Sequence, residues 1–196
     1  MKQKFEYIAI YKPYRILCQF SPVAGKTTLA DLFSFPKDVY PVGRLDYESE
    51  GLLILTNDNY LKSKLINPQE NHKKTYYVQV EGIPTQTDLE NLKNDLEINF
   101  KGVIHKVRAL SAELIEEPQL PNRNPPIRFR RNIPTSWLSI TITEGKYHQV
   151  RKMTAKIGFP TLRLVRYSIE NLNLTSIEIN KPIQFSKKQI YRLLNM

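Results

Sequence analysis

The residues with the clearest potential for chemistry lie in a short polar segment that precedes an apolar run. A glycine, Arg44 and Asp46 come shortly before Leu52 to Leu55. The run is too short for a convincing helix, and a glycine and an asparagine bound it, which is typical of a buried strand. Loops that feed such strands commonly carry catalytic groups, so Asp46 is the first candidate for a catalytic carboxylate.

The same segment also has a purely structural interpretation. An aspartate in a turn commonly accepts hydrogen bonds from nearby backbone, and an arginine two positions away can be its surface partner. For an Arg-x-Asp triplet taken alone, this interpretation is favoured over catalysis. The rest of the chain must decide between the two.

A second candidate segment, residues 144–153, joins a strand to a helix and carries Lys146, Arg151 and Lys152. The helix dipole does not favour cations in a first turn, so their presence there indicates an anionic partner. A solvated basic helix face is the alternative. Tyr76 lies on a predicted strand, and packing of its ring in the core is the simpler interpretation of that residue.

The stretch from Pro118 to Pro134 is predicted to be an extended loop that proline residues stiffen. Four arginines interleave there with one aromatic residue, Phe129: Arg123, Arg128, Arg130 and Arg131. Arginine binds phosphates and stacks on unpaired bases, so we expect the loop to face RNA. A merely solvated loop is the alternative.

Composition narrows the class of partner. The formal charge of +10 and the pI of about 9.6 favour nucleic acid over a small acidic metabolite. One cysteine, Cys18, excludes an internal disulfide framework and is expected to pack in or near the core. No apolar run is long enough for a signal peptide or a membrane span, so we predict a cytoplasmic protein without a membrane partner.

Several common enzyme classes lack their motifs here. The sequence Ala24-Gly25-Lys26-Thr27 resembles the end of a phosphate-binding loop, but Phe20 occupies the position of the required first glycine. The histidines are too scattered to predict a zinc site, and no Gly-x-Ser-x-Gly sequence supports an esterase nucleophile. We therefore predict no metal.

The predicted elements are mixed without regular alternation, which indicates an α+β fold with a mainly antiparallel mixed sheet and flanking helices. Strands are predicted where short runs are apolar or alternate: 7–11, 52–55, 74–81, 103–109, 112–115, 137–143 and 161–169. Helices are predicted where apolar residues recur at helical spacing between caps and stops: 28–33, 58–66, 85–96, 147–157 and a terminal helix after Ser186.

At this point the motifs resemble a known family. Residues 43–53, GRLDYESEGLL, resemble the catalytic motif of the RsuA-type pseudouridine synthases, in which the aspartate at the position of Asp46 is essential. Residues 144–153 resemble the third motif of that family, and residues 162–166 resemble its strand that walls the uracil pocket. The loop around residues 123–138 is similar to the E-type branch of large-subunit ribosomal RNA pseudouridine synthases. Residues 147–148 and 170 depart from the usual pattern of the family.

The resemblance implies roles for individual residues. It implies that Tyr76 stacks on the target uracil, that Arg151 pairs with Asp46 and keeps it ionised, and that Leu164 lines the pocket. Together with the loop arginines, whose chemistry already favours RNA, the predicted substrate contacts are Arg44, Lys74, Gln149, Arg123, Arg128, Arg130 and Arg131.

The resemblance also implies the reaction and the organisation of the molecule. A uridine of large-subunit ribosomal RNA would be flipped out, released at its glycosidic bond and rejoined through C5, without cofactor or metal. We expect a monomeric, single catalytic domain over 1–196, with two sub-domains around a central cleft and no N-terminal S4 domain.

Two other classes stay open from sequence. A non-catalytic RNA-binding or ribosome-assembly protein could keep the fold, although Asp46, Tyr76 and Arg151 are all present. A DNA-binding protein that uses the 147–157 helix is weakly supported, because no second helix precedes it at helix-turn-helix spacing.

Overall fold

The chain forms two compact units in a computed structural model that describes residues 4–128 and 130–196. Phe129 lies outside the described residues. The first unit comprises the chain up to His72 together with Arg166–Met196, and the second comprises Lys73–Val165. The expected α+β architecture, mostly antiparallel with flanking helices, is confirmed.

The strands of the described chain are β1 (Tyr7–Lys12), β2 (Ile16–Leu17), β3 (Thr27–Thr28), β4 (Tyr40–Pro41), β5 (Glu50–Thr56), β6 (Lys74–Glu81), β7 (Leu96–Phe100), β8 (Val103–Val107), β9 (Ser111–Ile115), β10 (Thr135–Ile142), β11 (Thr161–Ile169), β12 (Leu172–Asn173) and β13 (Ile183–Gln184). The helices are α1 (Leu29–Leu32), α2 (Asn59–Ile66), α3 (Gln86–Lys93), α4 (Gln149–Lys156) and α5 (Lys187–Leu193), with 3₁₀ turns at Pro68–Glu70 and Leu174–Ser176. None of the helices in the described ranges has the length and apolar character needed to cross a bilayer.

The first unit is built on β1 and β5, which pair antiparallel from Tyr7 opposite Thr56 to Lys12 opposite Gly51. Both strands are buried along their whole length, because both faces of this pair are covered. Their run of apolar residues therefore does not alternate. β13 and β4 extend the pairing antiparallel, on β1 and β5 respectively. Cys18 packs against the core on one face, as expected from sequence.

The second unit is built on β6 and β10, which pair antiparallel over eight residues each, with β9 on the other side of β10. β7 and β8 form a separate antiparallel hairpin. The alternation at Leu138, Ile140 and Ile142 places these side chains in the core. The strand pairs β6–β10 and β9–β10 thus form the frame from which α4 and the 118–134 loop extend.

Most of the predicted elements are confirmed, and two helix bounds are wrong. Leu96 begins β7, because α3 ends at Lys93 and the extended Asn94 returns its N–H to Glu90 O. Helix α4 begins at Gln149 because His148 has a left-handed backbone with φ of 54°. The predicted start at 147 is therefore two residues early.

Asp58 joins three elements of the first unit. Its Oδ1 accepts from the backbone N–H groups of Tyr60 and Leu61 and so caps α2. Its Oδ2 accepts from the hydroxyls of Tyr7 and Tyr191, each at 2.7 Å. Burial raises the pKa of Asp58, but the bonds from Tyr191, Tyr7 and the two amides outweigh it, so the net pKa is lowered.

We expect Asp58→Ala to lower the free energy of unfolding by about 2 kcal/mol, since it removes a helix cap and leaves the hydroxyls of buried Tyr7 and half-buried Tyr191 without their acceptor. Because folding makes this carboxyl more acidic, its contribution is complete above the ordinary aspartate pKa of about 3.9 and disappears as the pH falls through the lower folded value. Urea denaturation at pH 7 measures the loss, with the exposed Asp95→Ala as control. Equal stability of the two variants would contradict this role.

Candidate active site

Asp46 lies on the loop between β4 and β5, and this loop has a defined backbone. Gly43 has φ of 67°, which favours glycine. A Cβ there would meet only Ile66 Cγ2 at 3.8 Å, so the requirement comes from the backbone and not from crowding. Val42 N donates to Ile54 O at 2.8 Å, and Ser49 N donates to Asp46 O at 3.0 Å. These two backbone hydrogen bonds fix the first and last residues of the loop.

A neighbouring segment, residues 13–18, holds the loop from the side. Arg15 N donates to Tyr47 O at 2.8 Å, and Leu45 N donates to Cys18 Sγ at 3.3 Å. These two contacts fix the backbone on either side of Asp46. The lone cysteine therefore supports the loop through its sulfur as well as through packing.

Lys12 in turn anchors that segment from within the core. Its side chain is fully buried, and its Nζ donates to Pro13 O at 2.8 Å and to Ile16 O at 2.9 Å. Burial lowers the pKa of Lys12 to about 8, while negative charge at Cys18, Glu50 and Asp46 opposes this shift. Burial also raises the pKa of the Cys18 thiol, so near pH 7 the opposing charge comes from Glu50 and Asp46.

Further polar groups are buried around Lys12 in the same unit. Glu50 is 2% exposed and accepts from the Tyr11 hydroxyl at 3.0 Å. Arg166 is 4% exposed, and its Nε donates to Leu52 O at 2.9 Å. Among the described residues, neither Arg166 Nη2 nor the buried Ser49 Oγ has a hydrogen-bond partner.

The sequence-predicted site residues are divided between the two units. Asp46 and Arg44 lie in the first unit, where Arg44 is exposed and Asp46 is half-buried. The others lie in the second unit: Tyr76, Arg151, Leu164, Lys74, Gln149, Arg123, Arg128, Arg130 and Arg131. The pairing of Asp46 with Arg151 stays a prediction.

Within the second unit, β6 carries Tyr76 opposite Ile140, and the tyrosine is 7% exposed. Lys74 Nζ donates to Thr143 O at 3.3 Å, so the start of β6 is tied to the strand end that leads into α4. Leu164 on β11 is buried. A core position for Tyr76 and Leu164 is compatible with either packing or the lining of a pocket.

The first turn of α4 is organised by Gln149, whose side chain is buried. Its Nε2 donates to Glu144 Oε1 at 2.8 Å, and its Oε1 accepts from Lys146 N at 2.9 Å. Lys146 also forms an ion pair with Glu144. Gln149 therefore fixes the start of the helix that carries Arg151, which is half-buried.

The loop arginines differ from one another in their contacts. Arg123 donates to Pro125 O, Leu162 O and Pro126 O, at 2.8, 3.2 and 3.3 Å. Arg130 forms an ion pair with Glu81 at 2.9 Å. In the described ranges, no group of three or more His, Cys, Asp or Glu side chains could hold a metal ion.

Sequence reasoning missed the buried polar residues of the first unit near the Asp46 loop: Lys12, Glu50, Arg166 and Tyr11. It also missed the contact between Cys18 and this loop. The available signal was charged residues next to apolar ones in predicted strands: Lys12 at the end of β1, and Arg166 with Arg163 within β11. Such a residue is buried only when hydrogen bonds or opposite charges accompany it.

A family model and several known proteins are similar to this chain. The RNA pseudouridylate synthase family model matches residues 6–156. Ribosomal large subunit pseudouridine synthase E of Vibrio vulnificus is 51% identical over 171 residues, which cover 87% of this chain and 71% of the relative. The protein of the same name from Xanthomonas axonopodis pv. citri is 43% identical over 173 residues, covering 87% and 88% respectively.

A solved structure supports the fold. A crystal structure of a pseudouridylate synthase superposes with a TM-score of 0.74 at 22% identity, covering 97% of this chain and 74% of that one. The chain therefore belongs to the RNA pseudouridylate synthase family. It is an isomerase that forms pseudouridine in RNA.

We expect Lys12→Met to loosen the Asp46 loop, because it removes both hydrogen bonds that hold residues 13–16 in place. Loss of about 1.4 kcal/mol of local stability would raise amide exchange in residues 42–49 about tenfold. Peptides from β6 should exchange at the wild-type rate. The exposed Lys188→Met variant of α5 serves as control. Unchanged exchange at 42–49 in Lys12→Met would contradict the anchoring role.

Proposed function

We propose that this protein converts one uridine of large-subunit ribosomal RNA to pseudouridine, with Asp46 as the catalytic residue. The observation that carries the proposal is the tethered loop: backbone contacts on both sides of Asp46 fix the segment that carries its carboxylate, and the charge of that carboxylate opposes the lowering of the Lys12 pKa by burial. The similarity to synthases named for the large ribosomal subunit supports the choice of RNA. The proposal includes the monomeric state and the cytoplasmic location expected from sequence.

The reaction is an isomerisation with no external reactant. The N1–C1′ bond breaks, the uracil turns and a C5–C1′ bond forms. C5 then loses its proton, and N1, which carries no proton in uridine, gains one. Asp46 acts at the ribose, where attack on C1′ or removal of a ribose proton would weaken the glycosidic bond. No redox change occurs, and the groups needed are those that the chain itself supplies.

Other side chains position the uridine in this scheme. The target base leaves the stack at a cost of a few kcal/mol, which stacking on Tyr76 and contacts with flanking phosphates offset. The Tyr76 hydroxyl oxygen takes the C5 proton, Leu164 walls the uracil, and Arg151 pairs with Asp46. Arg44 and Lys74 bind phosphates near the target, and Gln149 supports Arg151 through the start of α4.

Asp46→Asn should abolish pseudouridine formation while preserving RNA binding, because the amide keeps the shape of the side chain and removes its charge. Tritium release from unmodified ribosomal RNA labelled at uridine C5 measures turnover, and filter binding measures affinity. Glu48→Gln, which removes an exposed charge from the same loop, should keep activity within a few-fold of wild type. Turnover by Asp46→Asn near the wild-type rate would remove Asp46 from the chemistry.

Arg151→Ala should reduce single-turnover rates at saturating RNA by far more than it reduces RNA affinity, because it leaves the carboxylate unpaired. Arg151→Lys should recover part of the rate, since it restores the charge. Lys152→Ala is the matched control on the same helix. In wild type, Lys152 Nζ contacts Asn99 O and the Phe100 ring. A loss of affinity alone in Arg151→Ala would identify a phosphate contact instead.

A further inference from the structure

A pocket of about 460 Å³ lies within the second unit, between the 118–134 loop and the ends of β6 and β10. Its volume falls in the range of small-ligand sites, about 300–1,000 Å³. The lining residues that matter for its chemistry are Arg128, Arg131, Ile133, Leu162, Gln79 and Thr135. This pocket has no role in the isomerisation scheme described above.

The walls of the pocket are held in place by contacts within the unit. Arg123 donates to three backbone carbonyls, two in the loop and one on β11. Arg163 Nη2 donates to Pro121 O at 2.7 Å, and Gly82 N donates to Pro134 O at 2.7 Å. The loop is therefore tied at its beginning and at its end. A ligand entering the pocket would lose little free energy to ordering of the loop.

The charge of the pocket is positive. Glu81 is the acidic residue in its lining, and its carboxylate forms the ion pair with Arg130. Arg128 and Arg131 are exposed, and no acidic partner is present for either among the described residues. Two guanidinium groups thus remain available at the rim of the pocket. Guanidinium binds phosphate oxygens in pairs, so these arginines suit a phosphodiester.

The interior of the pocket suits a base. Ile133 is 39% exposed and Leu162 is half-buried, so both offer apolar surface. Gln79 Nε2 donates to Thr135 Oγ1 at 3.3 Å, which leaves Gln79 Oε1 as an acceptor for an exocyclic amino group. An apolar wall, one amide and a cationic rim match the three parts of an unpaired nucleotide. A base within a duplex could not enter, because its edges are paired and its faces are stacked.

We propose that this pocket binds one unpaired nucleotide of the RNA substrate other than the uridine that is isomerised. Arg128 and Arg131 bind its phosphate, Ile133 and Leu162 contact its base, and Gln79 contacts the base edge. The proposal rests on the proposed function for the identity of the RNA. It assigns Arg123 to the support of the pocket and the other two arginines to contact with RNA.

The test compares Arg128→Ala/Arg131→Ala with wild type over a salt titration of single-stranded RNA binding. Two lost phosphate contacts should flatten the slope of log affinity against log salt by about 1.4 and weaken binding on the order of tenfold at low salt. The control Lys101→Ala/Lys106→Ala removes two charges from the β7–β8 hairpin and should leave the slope within error. Parallel salt lines for Arg128→Ala/Arg131→Ala and wild type would overturn the proposal.

Two further measurements separate a nucleotide pocket from a general cationic surface. Ile133→Ser should weaken single-stranded binding without changing the salt slope, because a lost base contact releases no counterions. A blunt RNA duplex should bind Arg128→Ala/Arg131→Ala and wild type equally. Equal losses for duplex and single strand, or for polyglutamate and RNA, would overturn the assignment to an unpaired nucleotide.

Failure of the pocket proposal and failure of the proposed function give different results. Single-turnover isomerisation at saturating RNA should stay within a few-fold of wild type in Arg128→Ala/Arg131→Ala, while half-saturation requires more RNA. If wild type itself formed no pseudouridine in large-subunit RNA, the proposed function would fail. The salt and duplex experiments would still decide whether the pocket takes a nucleotide.

Discussion

The buried ammonium group of Lys12 is the constraint from which the geometry of the candidate active site follows. Burial of an uncompensated charge costs several kcal/mol, so two backbone carbonyls and the nearby carboxylates must accompany it. The carbonyls belong to Pro13 and Ile16, and the carboxylates to Glu50 and Asp46. One side chain therefore fixes both the supporting segment and the side of it on which the Asp46 loop must lie.

A second feature of the molecule is the use of arginine as internal support. Arg166 donates to a carbonyl of β5, and Arg123 and Arg163 donate to carbonyls in or beside the 118–134 loop. The planar fork of five donors allows such bonding, which a lysine could not reproduce with the same geometry. The net charge of +10 consequently overstates the number of cations available to RNA. Basic composition indicates the partner, but contacts decide which arginines meet it.

The parts of the fold that the sequence predicted well are those with long, regular patterns. The bounds of β6 and β11 match the predicted 74–81 and 161–169, since each strand has eight or nine residues between clear breaks. The extension of α3 to Leu96 was wrong because a leucine at helical spacing does not reveal that the chain has already turned. The two-residue strands β2 and β4 are too short to produce a periodic signal, although they frame the Asp46 loop.

The candidate site likewise has residues that the sequence pointed to and residues that it did not. The resemblance predicts roles for Asp46, Tyr76 and Arg151, because the residues that carry each motif are contiguous in sequence. The contacts of Lys12, Glu50 and Cys18 depend on which strands lie side by side, and no local pattern encodes that. The charges of Lys12 and Glu50 also argue against burial, since lysine and glutamate are rarely buried without partners.

The central claim, that this chain itself isomerises uridine in large-subunit ribosomal RNA, is tested most directly by mapping. Purified protein is incubated with unmodified large-subunit RNA in the presence of EDTA, and pseudouridine is then located by carbodiimide modification and reverse transcription. The account predicts a discrete new stop at one uridine with wild-type protein and none with Asp46→Asn. RNA that is bound but carries no new stop after incubation with wild-type protein would contradict it.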